Sequence, residues 1–295
     1  MQLKTRVFQG VSDGPHLLIT GGVHGDEFES MSAMRRLIRD ILPAFLQGKL
    51  TLVPVVNEAA FLRGTRAAED DLDLARTCPG DPNGSITERT ADALSTLIRS
   101  ADYYIDLHTG GNIMEVWPMS GYGLVPDVDV LDTQRRMAQA FNLPFVWGTN
   151  CALDGRSLSV ARDAKVPAIY TEYMGAGRCH RDGVQAYYDG CLNVMGELGM
   201  VERQPRESVV LHTIEDNRPD AGHMQVCNPS PLTGLFEPRV SLGAHVVTGQ
   251  IIGVVSDVMG DRIVEVASRE AGIVLTLRVF SRVHEGDALA VIVEV

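Results

Sequence analysis

The first two hundred residues alternate short apolar runs with longer stretches in which apolar positions recur at helical spacing. "LLITGG" from residue 17, "LTLVPVVN" from 50, "YYIDLH" from 103 and "VPAIYTEY" from 166 read as buried strands. "FESMSAMRRLIRDIL", "SITERTADALSTLIRS", "VDVLDTQRRMAQAF" and "GVQAYYDGCLNVMGELG" read as amphipathic helices. Strand and helix in alternation predict an α/β sheet with helices on both faces. Such sheets take ligands at the carboxyl ends of their strands. His24, Asn57, His108 and Glu172 all stand at those ends.

Beyond "VERQPRES" at 201–208, a polar stretch read as a linker, the helical period disappears. Short β-branched runs punctuated by glycine fill the rest, which predicts an all-β, barrel-like module. The expected division is therefore 1–205 for a catalytic domain and 206–295 for a smaller β-rich one. Within the second, "VSLGAHVVTGQIIGVV" and "VFSRVHEGDALAVI" share one strand-and-turn pattern, and this quasi-repetition resembles the biotinyl/lipoyl-type barrel. Such barrels carry their cofactor on a hairpin lysine, and the chain has no lysine after Lys165. A structural or site-covering role is what is left.

The bulk properties narrow the partners. The 295 residues are 45% hydrophobic and 22% charged, ordinary for a globular protein. The formal net charge of −12, with lysine only at 4, 49 and 165, argues against nucleic acid or an anionic membrane as a general partner. An anionic substrate would need a few local arginines. The start, "MQLKTRVFQGVSDG", has no apolar signal-peptide core, and no run reaches transmembrane length. Cysteines 78, 151, 179, 191 and 227 form no CxxC pair and fit reduced thiols, so a cytoplasmic location is expected. A homo-oligomer is compatible with all of this. Any metal must be held by histidine and carboxylate.

"GGVHGDE" offers such a set. His24 and Glu27 stand three apart after a glycine turn, a spacing that lets both reach one divalent ion. Asp26 and Glu27 can also be read as acids favouring the N-terminus of the following helix. His108, in "YYIDLHTGG", ends another strand and is the third candidate ligand; the alternative is a histidine bonded to a loop carbonyl. Asp106 shares its strand face and is either a partner orienting a ligand or a strand-end polar residue. Glu172 ends an apolar strand, where a carboxylate is costly without a task. It reads as a salt bridge to a neighbour such as Arg178, or, near a metal, as the general base for a metal-bound water.

"GGVHGDE", "FLRGTR", "DLDLARTCPGDPNGSITERTADAL", "YYIDLHTGG" and "AIYTEYMG" occur in the order and spacing of the succinylglutamate desuccinylase/aspartoacylase family. The resemblance spans roughly residues 15 to 290. It implies a mixed central sheet of the zinc carboxypeptidase-like kind and one Zn2+ per chain held by His24, Glu27 and His108. It also implies Glu172 as general base, Arg66 as the group polarising the scissile carbonyl, and Arg76 as a substrate-carboxylate clamp. The family usually has Asn before that arginine, where this chain has Ala75. Loss of the amide removes about 1 kcal/mol of directional hydrogen bonding. Arg63 and Asn57 are candidates to compensate, and residues 112–127 to line an acyl pocket or else cover core.

The expected activity is zinc-dependent cleavage, by metal-activated water, of the amide bond of a small N-acylated, carboxylate-bearing amino acid or related compound. A metallocarboxypeptidase acting on short peptides is the alternative within enzymes. An inactive metal-binding scaffold is the alternative outside them.

Overall fold

The computed structural model describes residues 1–204, 206–219, 221, 222, 224 and 227–295. The linker and domain boundary read near 205 include Pro205, which lies outside the described residues. In chain order the elements are β1 (Arg6–Gln9), β2 (Ser12–Gly21), α1 (Phe28–Asp40), β3 (Gln47–Val53), α2 (Glu58–Arg63), α3 (Ile86–Arg99) and β4 (Tyr103–Leu107). Then come β5 (Met114–Leu124), α4 (Val128–Phe141), β6 (Phe145–Asn150), α5 (Ser157–Asp163), β7 (Ala168–Gly175), α6 (Arg181–Glu197) and β8 (His212–Asp216). The C-terminal strands are β9 (Gly234–Pro238), β10 (His245–Val246), β11 (Ile251–Ser256), β12 (Ile263–Ala267), β13 (Gly272–Arg278), β14 (Arg282–Val283) and β15 (Ala290–Val293).

The main sheet runs β1-β3-β2-β4-β7-β5, with β3, β2, β4 and β7 parallel and β1 and β5 antiparallel to their neighbours. β6 pairs in parallel with the second half of β5, and β8 with β6, so the sheet is mixed. Side chains alternate across it. Leu17 and Ile19 of β2 face a core with Met34 of α1, Phe141 of α4 and Val194 of α6. Leu18 faces the other way, onto Leu94 and Ile98 of α3 and Val160 of α5. With both faces covered, the central strands are apolar throughout rather than alternating.

Helix ends follow local chemistry. α3 starts on a capping box in which Ser85 and Glu88 satisfy each other's backbone N–H groups. α1 stops at Asp40, two residues short of the pattern, because Pro43 drives the preceding chain into extended conformation. Residues 112–127, which gave no strand pattern, contain the long strand β5. Pro118, Gly121 and Gly123 disguise it, and an irregularity in pairing between Val116 and Met119 accommodates the proline.

After residue 230 the chain is all β. β12-β11-β9-β14 form a separate antiparallel sheet. β10, β13 and β15 instead join the main sheet, because β13 pairs with the first residues of β5. Phe236, Ile252, Val255, Val274 and Leu289 fill the space between the two layers. The C-terminal region is thereby fastened to the strand that borders the site. Among the described residues no helix is long and apolar enough to cross a membrane.

Candidate metal centre and active-site cavity

The loop after β2 is held against α2 at Gly25, where a Cβ would fall 2.1 Å from the backbone carbonyl carbon of Ala60. That close approach turns His24 and Glu27 inward. Glu27 sits at the N-cap of α1 but makes no side-chain cap bond. Its carboxylate instead lies 2.6 Å from His24 Nδ1 through Oε1 and 3.1 Å from His108 Nδ1 through Oε2. Asp26 does not serve the helix either: it accepts the backbone N–H of Asn112 at 2.9 Å. The acid in the first turn of α1 is Glu29, which is buried and accepts from His180.

His24, Glu27 and His108 are all buried, and their ligand atoms lie within 4.8 Å of one another. Both histidines present Nδ1 to the centre and lean their far nitrogen on a second carboxylate. His24 Nε2 is 3.1 Å from Asp73 Oδ1, and His108 Nε2 is 3.1 Å from Asp106 Oδ2. Asp106, left open between two roles by the sequence, is thus bonded to His108. It is itself held by Thr20 at 2.8 Å and by a short hydrogen bond from Ser157. Two imidazole nitrogens and a carboxylate oxygen, with a carboxylate behind each ring, are a donor set suited to zinc with one position open.

The field agrees with that donor set. Burial alone would lift Glu27, but the two imidazoles outweigh it and hold the carboxylate well below its usual range. Burial alone would deprotonate His108, yet Asp106 and Glu27 hold its pKa well above the ordinary value. Asp73 and Asp106 are likewise kept ionised against burial, Asp73 by His24 and Arg66 and Asp106 by His108. A buried site that draws a proton onto an imidazole offers the potential a cation needs.

These residues line a cavity of about 440 Å³ that also takes in Glu172, Arg66, Ala75 and Arg76. Glu172 is 8% exposed and its Oε2 is buried with no hydrogen-bond partner. Among the described residues no ion pair joins it to Arg178. Burial pushes its pKa up to about 8, with His108 opposing the shift and Glu27 adding to it. Arg66 donates to Asp73 Oδ2 from Nε at 3.2 Å and from Nη2 at 2.9 Å. Arg76 donates to the carbonyl of Ala75 at 2.6 Å.

Two candidates lie elsewhere. Asn57 caps α2, its Oδ1 accepting from Ala60 N at 3.1 Å, and does not line the cavity. Arg63 is exposed, 3.9 Å from Asp71, and does not line it either. An Asn followed by a short amphipathic turn was a cap signal legible in the sequence. Conversely, the sequence reading passed over Arg156, Tyr170 and Asp73. Arg156, just before α5, lines the cavity and depresses Arg76, whose pKa falls to about 10 through burial first and this like charge second. Tyr170 shares the face of Glu172 by strand alternation, a signal the sequence did carry. Of residues 112–127, Ile113 and Met114 line the cavity while Met119 packs in core. Thr276, Arg278 and Asp287 of the C-terminal region close one wall.

Fold and site together define the α/β class of hydrolases that act on linear amide bonds. The model of the succinylglutamate desuccinylase/aspartoacylase catalytic domain matches residues 13–198, and the chain belongs to that family. It is 32% identical to N-alpha-acetyl-L-2,4-diaminobutyric acid deacetylase of Halomonas elongata, over 96% of this chain and 83% of that protein. Among solved structures it resembles a succinylglutamate desuccinylase/aspartoacylase from Rhodobacter sphaeroides, with a TM-score of 0.89 and 30% identity over 98% of this chain and 88% of the other. It equally resembles the product-bound ectoine utilization protein EutE (DoeB) from Ruegeria pomeroyi, with a TM-score of 0.89 and 28% identity over 99% and 88%.

Proposed function

We propose that the protein is a zinc-dependent deacylase that hydrolyses the amide bond of a small N-acylated amino acid. The observation that carries this reading is the buried, unpartnered carboxylate oxygen of Glu172 in the same cavity as His24, Glu27 and His108. A zinc ion held by those three residues would supply Lewis-acid charge to the amide carbonyl and acidify water near neutral pH. Glu172 takes the proton of the attacking water and returns it to the leaving amine. Arg66, held by Asp73, aims its guanidinium at the carbonyl oxygen as charge develops there. Arg76 and Arg156 take the substrate carboxylate, Arg156 standing in for the asparagine amide that Ala75 lacks.

The deacetylase relative makes acetyl the first acyl group to test. The wall formed by Thr276, Arg278 and Asp287 favours a compact substrate over a peptide lying in an extended groove. A cytoplasmic location and the division of the chain near residue 205, with a barrel-like second unit lacking a carrier lysine, complete the proposal. The experiment is hydrolysis of a panel of N-acetyl and N-succinyl amino acids by the zinc-loaded protein, with short peptides as controls. Turnover of the acyl amino acids is expected. Faster release of C-terminal residues from peptides would make it a carboxypeptidase, and zinc binding without any turnover would make it a scaffold.

A further inference from the structure

One side chain touches three parts of the site at once. Asp73 Oδ1 lies 3.1 Å from His24 Nε2 and accepts the backbone N–H of Ala75 at 2.9 Å. Asp73 Oδ2 accepts both Nε and Nη2 of Arg66, at 3.2 and 2.9 Å. The Ala75 bond caps the short turn Leu74–Arg76, which carries Arg76 into the cavity. Asp106, the equivalent partner of His108, has no such reach: its other contacts are the hydroxyls of Thr20 and Ser157. The two carboxylates behind the histidines therefore differ in kind, one anchored on neutral hydroxyls and one on a cavity arginine.

We propose that Asp73 is a positioning residue that sets His24, Arg66 and the turn bearing Arg76 in a single register. Metal ligand and carbonyl-polarising arginine are then placed by the two oxygens of one rigid planar group. This coupling rests on the reading of the site as a zinc deacylase. A side-chain shift of about 1 Å at such groups is enough to cost rate. Partners that orient a ligating histidine are worth roughly 10- to 100-fold in metal affinity. Arg66 loses its one side-chain acceptor among the described residues when Asp73 is removed, so its contribution to turnover goes with it.

The test compares wild type, Asp73→Ala, Arg66→Ala and the double variant. Zinc affinity is read by chelator competition, and kcat is read at saturating zinc. In Asp73→Ala, zinc binding weakens roughly 10- to 100-fold. Its kcat falls at least as far as in Arg66→Ala, and the double variant falls no further than Asp73→Ala alone. Independently of metal, proton–nitrogen NMR of the apoprotein shows protected Nε2–H of His24 and Nε–H of Arg66 in wild type, and both lose protection in Asp73→Ala. If Asp73→Ala does not fold, Asp73→Asn serves. An amide offers one acceptor oxygen to two sets of donors, so at least one of the two protected signals must disappear. Unchanged zinc affinity, multiplicative kcat losses, or both protected protons surviving in either variant would overturn the proposal. Protected protons that vanish as described in a protein that binds no zinc would uphold the coupling and overturn the deacylase reading instead.

Discussion

Glu172→Gln should make the metal-free protein more stable while nearly abolishing its turnover, and the gain should grow with pH. Glu172 has a pKa of 4.5 in the free side chain and about 8 in the folded protein, chiefly through burial. A raised folded-state pKa means the native state binds the proton more tightly. The group therefore costs nothing at a pH well below 4.5 and is increasingly destabilising as pH rises from 4.5 towards 8. Integrated with those two values, the cost is about 1 kcal/mol at pH 5 and about 3 kcal/mol at pH 7. Glutamine cannot ionise, so it removes the pH-dependent part while keeping nearly the same shape.

The measurement is urea unfolding of metal-stripped wild type and variant at pH 5 and pH 7. The variant's advantage should widen by about 2 kcal/mol between the two. With zinc added, the same variant should bind metal yet lose roughly 10²-fold or more in kcat, the usual weight of a positioned base. A stability difference that stays flat with pH, or that favours wild type increasingly as pH rises, would refute the claim that Glu172 is held in a site hostile to its charge.

The other expectations follow from the same geometry. His24→Ala and His108→Ala should each abolish stoichiometric zinc, checked by elemental analysis. Arg66→Ala should mainly lower kcat, by roughly 10²-fold, whereas Arg76→Ala and Arg156→Ala should mainly raise KM; steady-state kinetics that reverse the split would reassign the arginines. Ala75→Asn should tighten substrates bearing a carboxylate next to the scissile amide by roughly fivefold, one hydrogen bond's worth, and leave other amides unchanged in competition assays.

What could be read from the sequence depended on whether a function leaves a local pattern. β2, β4 and β7 were legible because burial on both sheet faces makes them continuous apolar runs. β5 was not, since Pro118 and two glycines erase its pattern and its pairing partners are set by the whole fold. The same division holds in the site. His24 and Glu27 are neighbours in sequence and gave a spacing to argue from, and His108 stood at an equivalent strand end. Arg156 gave nothing local: it stands just before α5, 80 residues from Arg76, and only tertiary structure packs the two segments together. Asn57 shares a strand-end position with the site, but its amide oxygen caps α2 and it does not line the cavity.

In the proposed reading, Arg76 and Arg156 are what would let a chain of formal charge −12 select an anion. Arg66 does not contribute to that selection, because Asp73 neutralises it. Among the described residues Arg76 and Arg156 have no ion-pair partner; Arg76 is exposed and Arg156 half-buried, and the like charge of Arg156 works against that of Arg76. On that reading the repulsion is a cost that a bound carboxylate would reduce, and the relief would appear as substrate affinity. Long-range attraction by the negative surface cannot supply it. Glu172 is the complementary case: its buried Oε2 has no hydrogen-bond partner among the described residues, and in the proposed mechanism the cost of its charge would be relieved by accepting a proton from water. On this reading stability is withheld at three positions and returned at two steps, binding for the two arginines and proton transfer for the glutamate.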